Sequence, residues 1–218
     1  MQSLLPIEVD AHLTELVTAQ HLDPVLDDME RRSDAHGFPI VGRAVGRFLE
    51  LQARMVAARR VVELGSGYGY SAYWFARAVG AVGADGADGE VVCTDTDPGN
   101  AALAEGYLRR AGLWDHVRYH VGDALEGLAA VEGDLDVIHC DIDKHGYPAA
   151  WEAARERLRP GGVFLCDNVL WDGRVARGAQ DDDTRAIVAM TREVAQDPRY
   201  VSAINPLRDG TLVALRVV

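Results

Sequence analysis

The residues best suited to chemistry stand just after two apolar runs. Asp141, Asp143 and Lys144 follow the run 135–140, and Asp167 and Asn168 follow the run 162–166. Asp141, Asp167 and Asn168 offer three oxygen ligands. Such a set suits Mg²⁺, which prefers octahedral oxygen coordination and keeps some of its waters; Mn²⁺ or Ca²⁺ would accept the same donors. Zinc would draw on His or Cys, and His139, Cys140 and Cys166 are expected to point off this rim. Asp167 and Asn168 are neighbours in sequence, so both can face one ligand only if the strand before them has ended. Lys144 is the only lysine among 22 basic residues. An amine can exchange a proton where a guanidinium stays charged, so a solitary lysine in an arginine-rich chain is either a candidate for amine chemistry or a surface residue kept by chance.

A second group lies earlier, in Glu63-Leu64-Gly65-Ser66-Gly67-Tyr68-Gly69-Tyr70-Ser71. Its glycines let backbone approach a ligand closely. The dinucleotide fingerprint G-x-G-x-x-G/A fails at its third small position, which is Tyr70, and no lysine follows to make a phosphate loop. Glu63 would repel a phosphate and attract an ammonium. S-adenosylmethionine carries an ammonium and a sulfonium and no phosphate. Asp95 ends the next apolar run, where an acid can hold both ribose hydroxyls of either NAD or S-adenosylmethionine. Asp97-Pro98 reads as a helix N-cap with Pro at N1. Gly122-Asp123-Ala124 ends the third run and is suited to line an adenine.

These sites require elements to hold them. Short β-branched runs at 60–64, 90–94, 117–121, 135–140 and 162–166 alternate with helical patterns at 72–79, 99–111, 124–130 and 148–158. A helix at 184–196 follows, then strands at 200–204 and 210–218 around Pro206 and Asp209-Gly210. The alternation predicts an α/β fold: a doubly wound, Rossmann-like, mostly parallel seven-stranded sheet ending in an antiparallel hairpin. Ligands of such sheets bind beyond the carboxyl ends of the strands, so the polar residues just after each run are where a site is expected. Residues 8–57 are helical in pattern, with breaks at Pro24, Gly37 and Pro39. They predict an N-terminal helical cap, residues 1–57, belonging to the same domain as a ligand-binding part, residues 58–218. The glycine- and alanine-rich stretch 81–89 reads as a flexible surface loop.

Composition narrows the function classes. The chain has 218 residues, 48% of them hydrophobic, so it can bury a core. Its net charge of -12 repels phosphate backbones and argues against nucleic acid as a partner. Arg174, Arg177 and Arg185 are where a local basic patch would form. No apolar run approaches the roughly 20 residues of a membrane span. The N-terminus lacks the basic region of a signal peptide. Cys93, Cys140 and Cys166 read as reduced core thiols of a cytoplasmic protein.

From about residue 40 onward the chain resembles the small cation-dependent O-methyltransferases, the group of catechol and caffeoyl-coenzyme A O-methyltransferases. The resemblance is carried by the Glu63-to-Ala72 segment, Asp141-x-x-Lys144-x-x-Tyr147, Gly161-Gly162, Asp167-Asn168-x-x-Trp171-x-Gly173, and Asp209-Gly210. It implies methyl transfer from S-adenosylmethionine to a small hydroxylated aromatic acceptor, by a protein that is often a homodimer. Asp141, Asp167 and Asn168 would bind Mg²⁺. Val41, Glu63, Gly65, Ser66, Ser71, Asp95, Asp123, Ala124 and Asp141 would line the donor. Lys144 would be the general base, acting with Asp141. Lys144, Asn168, Trp171 and Asp209 would meet the acceptor. The competing readings are a methyltransferase acting on tRNA or another macromolecule, an NAD-binding enzyme, and a binding protein without catalysis.

Overall fold

The computed structural model describes residues 5–81, 89–178 and 180–218. Residues 82–88 of the expected surface loop lie outside this set. Seven strands form one sheet: β1 (Arg60–Leu64), β2 (Glu90–Asp95), β3 (Val117–Val121), β4 (Leu135–Cys140), β5 (Leu158–Cys166), β6 (Tyr200–Asn205) and β7 (Thr211–Arg216). The order is β3-β2-β1-β4-β5-β7-β6. The first five strands pair in parallel, and β7 runs antiparallel between β5 and β6. The strand order therefore switches direction between β1 and β4.

Both sheet faces are covered, as strands with almost continuous apolar runs require. Successive residues of β1 serve opposite layers. Val61 joins the core under α3 (Gly42–Met55), α4 (Tyr70–Gly80) and α5 (Pro98–Arg110). Val62 and Leu64 join the core under α6 (Ala124–Ala130), α7 (Tyr147–Arg155) and α9 (Asp182–Gln196). Trp74 and Trp151 anchor the two layers and are fully buried. A short helix, α8 (Arg174–Arg177), precedes α9.

The N-terminal region forms α1 (Ile7–Gln20), α2 (Pro24–His36) and α3. The expected breaks fall at the boundaries. Pro24 is the first residue of α2, where Asp23 caps Val25 N–H at 2.8 Å, and Gly37 closes it in the left-handed region. Of these helices, α3 is seated in the core through Val45, Leu49 and Ala53, and α2 joins the same core through Val25, Leu26 and Met29. The backbone at 38–41 then crosses the carboxyl edge of the sheet. Strand β5 starts earlier than its apolar run suggests, at Leu158, because the ladder to β4 extends to Leu135.

Candidate active site

The carboxyl edge of β1, β2, β3, β4 and β5 opens on a cavity of about 760 Å³, within the size range of small-molecule sites. Its floor is set by close backbone approach. Gly65 follows β1 with φ +83, and a Cβ there would lie 2.3 Å from the Asp141 carbonyl, so only glycine lets the ends of β1 and β4 meet. Asp141 N–H bonds the Leu64 carbonyl at 2.8 Å, and Asp167 N–H bonds the Cys140 carbonyl at 3.0 Å. The three strand ends are thereby held at one level.

Asp141, Lys144, Asp167 and Asn168 meet on one wall. Strand β5 has ended at Cys166, and Asn168 adopts φ 55, which turns its amide beside the Asp167 carboxylate. Asn168 Nδ2 donates to Asp167 Oδ2 at 3.1 Å, and Thr211 Oγ1 donates to Asp167 Oδ1 at 3.1 Å. Lys144 stands in a single helical turn ahead of α7 and is 8% exposed. Its Nζ donates to Asn168 Oδ1 at 2.9 Å, Asp141 Oδ1 at 3.3 Å and the Ile142 carbonyl at 3.2 Å. The ring centroids of Tyr147 and Trp171 lie 4.9 and 5.6 Å from it. Burial and the nearby Asp141 charge push the Asp167 carboxyl well above the usual range. Two carboxylates thus stand on this wall with one lysine, which pairs with Asp141 alone, and the surplus negative charge with three oxygen donors fits a hard divalent cation. Among the described residues no cluster of three or more His, Cys, Asp or Glu forms a rival site.

The other end of the cavity is built around the glycine segment. Val41, Gly65, Ser66, Ser71, Asp95, Asp123 and Ala124 all line it. Asp95 is oriented by three donors: Gly67 N–H on Oδ2 at 3.0 Å, and Asp97 N–H and Asn100 Nδ2 on Oδ1 at 2.8 and 3.1 Å. Asp123 caps α6 through Oδ1, which accepts from Leu125 and Glu126 N–H. The N–H groups of Tyr70, Ser71 and Ala72 open α4, where no preceding turn supplies acceptors. Ser66 Oγ is engaged by Thr94 N–H at 3.1 Å, so its hydroxyl is tied to the sheet.

Glu63 is placed differently from the rest of the expected set. It lies below the cavity wall, fully buried, with Oε1 3.1 Å from His139 Nδ1 and Oε2 without a partner among the described residues. Burial would discharge His139, but the bond to Glu63 outweighs it and raises the imidazole pKa. His139, Cys140 and Cys166 are all fully buried in the layers, off the rim.

Trp171 and Asp209 line the cavity beside Lys144. Asp209 Oδ1 accepts from Asp172 N–H at 2.6 Å, which ties the β6–β7 hairpin to the segment after β5. Asp209 Oδ2 and Trp171 Nε1 are buried and have no partner among the described residues. Unsatisfied buried polar atoms are costly unless a ligand completes them. Phe38, Ile40, His145, Asp183 and Arg208 also line the cavity. No motif marks the first two in the sequence. Arg208 had one available signal, its place directly before Asp209-Gly210.

The family pattern of the O-methyltransferases matches residues 17–217, nearly the whole chain. The chain belongs to the O-methyltransferase family. This O-methyltransferase is 35% identical over 187 residues to the catechol O-methyltransferase of Mycobacterium tuberculosis, covering 84% of this chain and 80% of that protein. Among solved structures it is similar to the O-methyltransferase of Bacillus cereus in complex with S-adenosylhomocysteine, with a TM-score of 0.81, 28% identity, and 96% and 97% of the two chains covered. It is also similar to TomG of Streptomyces achromogenes in complex with S-adenosylmethionine, with a TM-score of 0.82, 26% identity, and 97% and 96% covered. The NAD-binding alternative falls with this assignment. Tyr70, the residue that breaks the dinucleotide fingerprint, is 3% exposed and donates its hydroxyl to Glu30 of α2 at 2.6 Å.

Proposed function

We propose that this O-methyltransferase moves the methyl group of S-adenosylmethionine to one hydroxyl of a small catechol-like acceptor, with a divalent cation, Mg²⁺ in the first place. The observation that carries the reading is the wall of Asp141, Asp167, Asn168 and Lys144 beside the glycine segment, in one cavity. The named relatives supply the context: one is a catechol O-methyltransferase, and two were solved with the methyl donor or its product.

Asp95 receives the donor's ribose hydroxyls, Gly122 to Ala124 line its base, and Val41, Ser71 and the opening N–H groups of α4 face its methionine end. Asp141, Asp167 and Asn168 hold the cation. When bound, the cation supplies positive charge that makes an acceptor hydroxyl more acidic. Lys144, steered by Asn168 and Asp141, takes the hydroxyl proton on Nζ as a neutral amine, after releasing to solvent one of the protons of its resting ammonium. The unpartnered Asp209 Oδ2 and Trp171 Nε1 orient the acceptor. An oxygen–carbon bond forms as the donor's carbon–sulfur bond breaks, leaving a neutral thioether. Holding both reactants in line in a walled cavity supplies much of the rate.

The arginines that could have formed a nucleic-acid patch support a small acceptor instead. Arg174 pairs with Asp181 at 2.7 Å, Arg185 pairs with Asp182, and Arg177 binds the Asp172 carbonyl. The three cysteines are free and buried, which suits a reducing, cytoplasmic setting, and no helix among the described residues is long and apolar enough to cross a membrane. A homodimer is carried by the family resemblance alone, and light scattering on a sizing column tests it. The function itself is tested by following S-adenosylhomocysteine release with catechol as acceptor. Product that requires both catechol and Mg²⁺ is expected. Calorimetry showing no affinity for S-adenosylhomocysteine would remove the donor, and with it the reading.

A further inference from the structure

Arg208 has no role in the chemistry above. It is held in an unusual way. Its backbone adopts φ 49, a left-handed conformation that costs free energy for a residue with a side chain. Its guanidinium crosses from the β6–β7 hairpin to the segment before α3, where Nη1 donates to the Ile40 carbonyl at 2.7 Å. It rests on Gly42, where a Cβ would stand 2.6 Å from Nη1, so a bare glycine makes the seat. No carboxylate of the described residues pairs with it, in a chain whose net charge is -12.

Among the lysines and arginines of the described residues, only Lys144 and Arg208 line the cavity; its other full charges are aspartates. Lys144 is committed to Asn168 and Asp141. Arg208 spends one N–H group on the Ile40 carbonyl and lines the cavity, and the residue after it, Asp209, lines the same cavity with Lys144 and Trp171. A fork of this geometry matches a carboxylate. The donor's own carboxylate has another place, at Ser71 and the opening N–H groups of α4. The overall negative charge does not oppose a local anion site, because repulsion from distant charges is screened beyond about 8 Å at physiological salt.

We propose that Arg208 is a specificity residue that receives the carboxylate of an acidic acceptor, so that the preferred substrates are hydroxylated aromatic acids rather than their neutral counterparts. The proposal rests on the acceptor reading given above and narrows it.

The test compares 3,4-dihydroxybenzoate and 3,4-dihydroxycinnamate with their methyl esters, in wild type, Arg208→Met and Arg208→Lys. The quantity read is the ratio of kcat/KM for acid over ester, which general damage to the fold does not move. A charged hydrogen bond lost at one contact predicts a fall in that ratio of about 10- to 100-fold in Arg208→Met, for at least one of the two acids. Arg208→Lys should recover part of it. A parallel calorimetric arm measures S-adenosylhomocysteine and its decarboxylated analogue. If Arg208→Met weakens only the former by tenfold or more and leaves the acid/ester ratio unchanged, Arg208 reads the donor and the acceptor proposal is overturned. An unchanged ratio with unchanged donor affinity overturns it as well. A wild type that methylates none of the four compounds yet binds S-adenosylhomocysteine counts against the catechol reading and removes the acid preference with it. Activity on the esters with no preference shift counts against Arg208 alone.

Discussion

The ammonium of Lys144 lies 2.9 Å from the amide oxygen of Asn168, across 24 residues of sequence. One residue follows β4 and the other follows β5, and the parallel pairing of these strands brings them together. The contact aims the only lysine of the chain at the place where two carboxylates converge. Removing the amine while keeping the charge should therefore be informative. In Lys144→Arg, turnover is expected to fall by about 10²-fold or more, since a guanidinium does not take up the proton. Initial rates at saturating donor check this, and near-normal turnover would take Lys144 out of the mechanism.

The proposed metal dependence is assigned to Asp141, Asp167 and Asn168. Treatment with EDTA followed by dialysis is expected to abolish activity, and added Mg²⁺ to restore it. Asp167→Asn should raise the Mg²⁺ concentration needed for half-maximal rate by at least tenfold, because one of two carboxylates is lost. Full activity in metal-free buffer would contradict the assignment.

The proposed donor site gives Asp95 the ribose hydroxyls. Its carboxylate is preset by Gly67, Asp97 and Asn100, so little ordering remains when a ribose arrives. Asp95→Ala should weaken S-adenosylhomocysteine by about 10- to 100-fold, as expected for bonds to a charged group. Calorimetry reads this directly, with Asp123→Ala as a comparison that should have the smaller effect, since Asp123 Oδ1 is spent on capping α6.

Acid stability has a local source in Asp197. Bonding to the Arg199 guanidinium holds its carboxyl at about 2, below the usual carboxylate range. Arg155 adds charge at 3.6 Å. A carboxyl depressed in the folded state stabilises the fold at pH values above its unfolded pKa, near 3.9. That stabilisation is lost as pH falls from about 4 toward 2. Wild type should lose thermal stability through this window. Asp197→Asn should begin less stable at pH 7 and converge on wild type by pH 2. Equal melting temperatures at pH 7 would show that the pair contributes nothing.

Much of this molecule is legible in its residues because a parallel α/β sheet repeats one rule. Apolar runs mark strands, and the polar residues just after them mark the ligand edge. Gly65, Asp95, Asp141, Asp167 and Asn168 follow that rule, and all line the cavity. Glu63 stands one residue before it. It is still within β1, so its side chain enters a layer and meets His139 instead of the cavity wall. Strand parity decides this, and a one-residue difference in where a strand ends reverses it.

The sequence by itself determined the order of elements, the sheet class and the residue types at the carboxyl edge, since these follow from local periodicity and turn chemistry. The tertiary structure alone decided which of those residues touch. Arg208 and Ile40 are 168 positions apart and meet on Gly42. Asp209 reaches Asp172 N–H, and Thr211 reaches Asp167. Such contacts depend on how the antiparallel hairpin docks beside β5 and how the chain before α3 crosses the sheet edge. That docking is set by packing between distant surfaces, which no short window of sequence encodes.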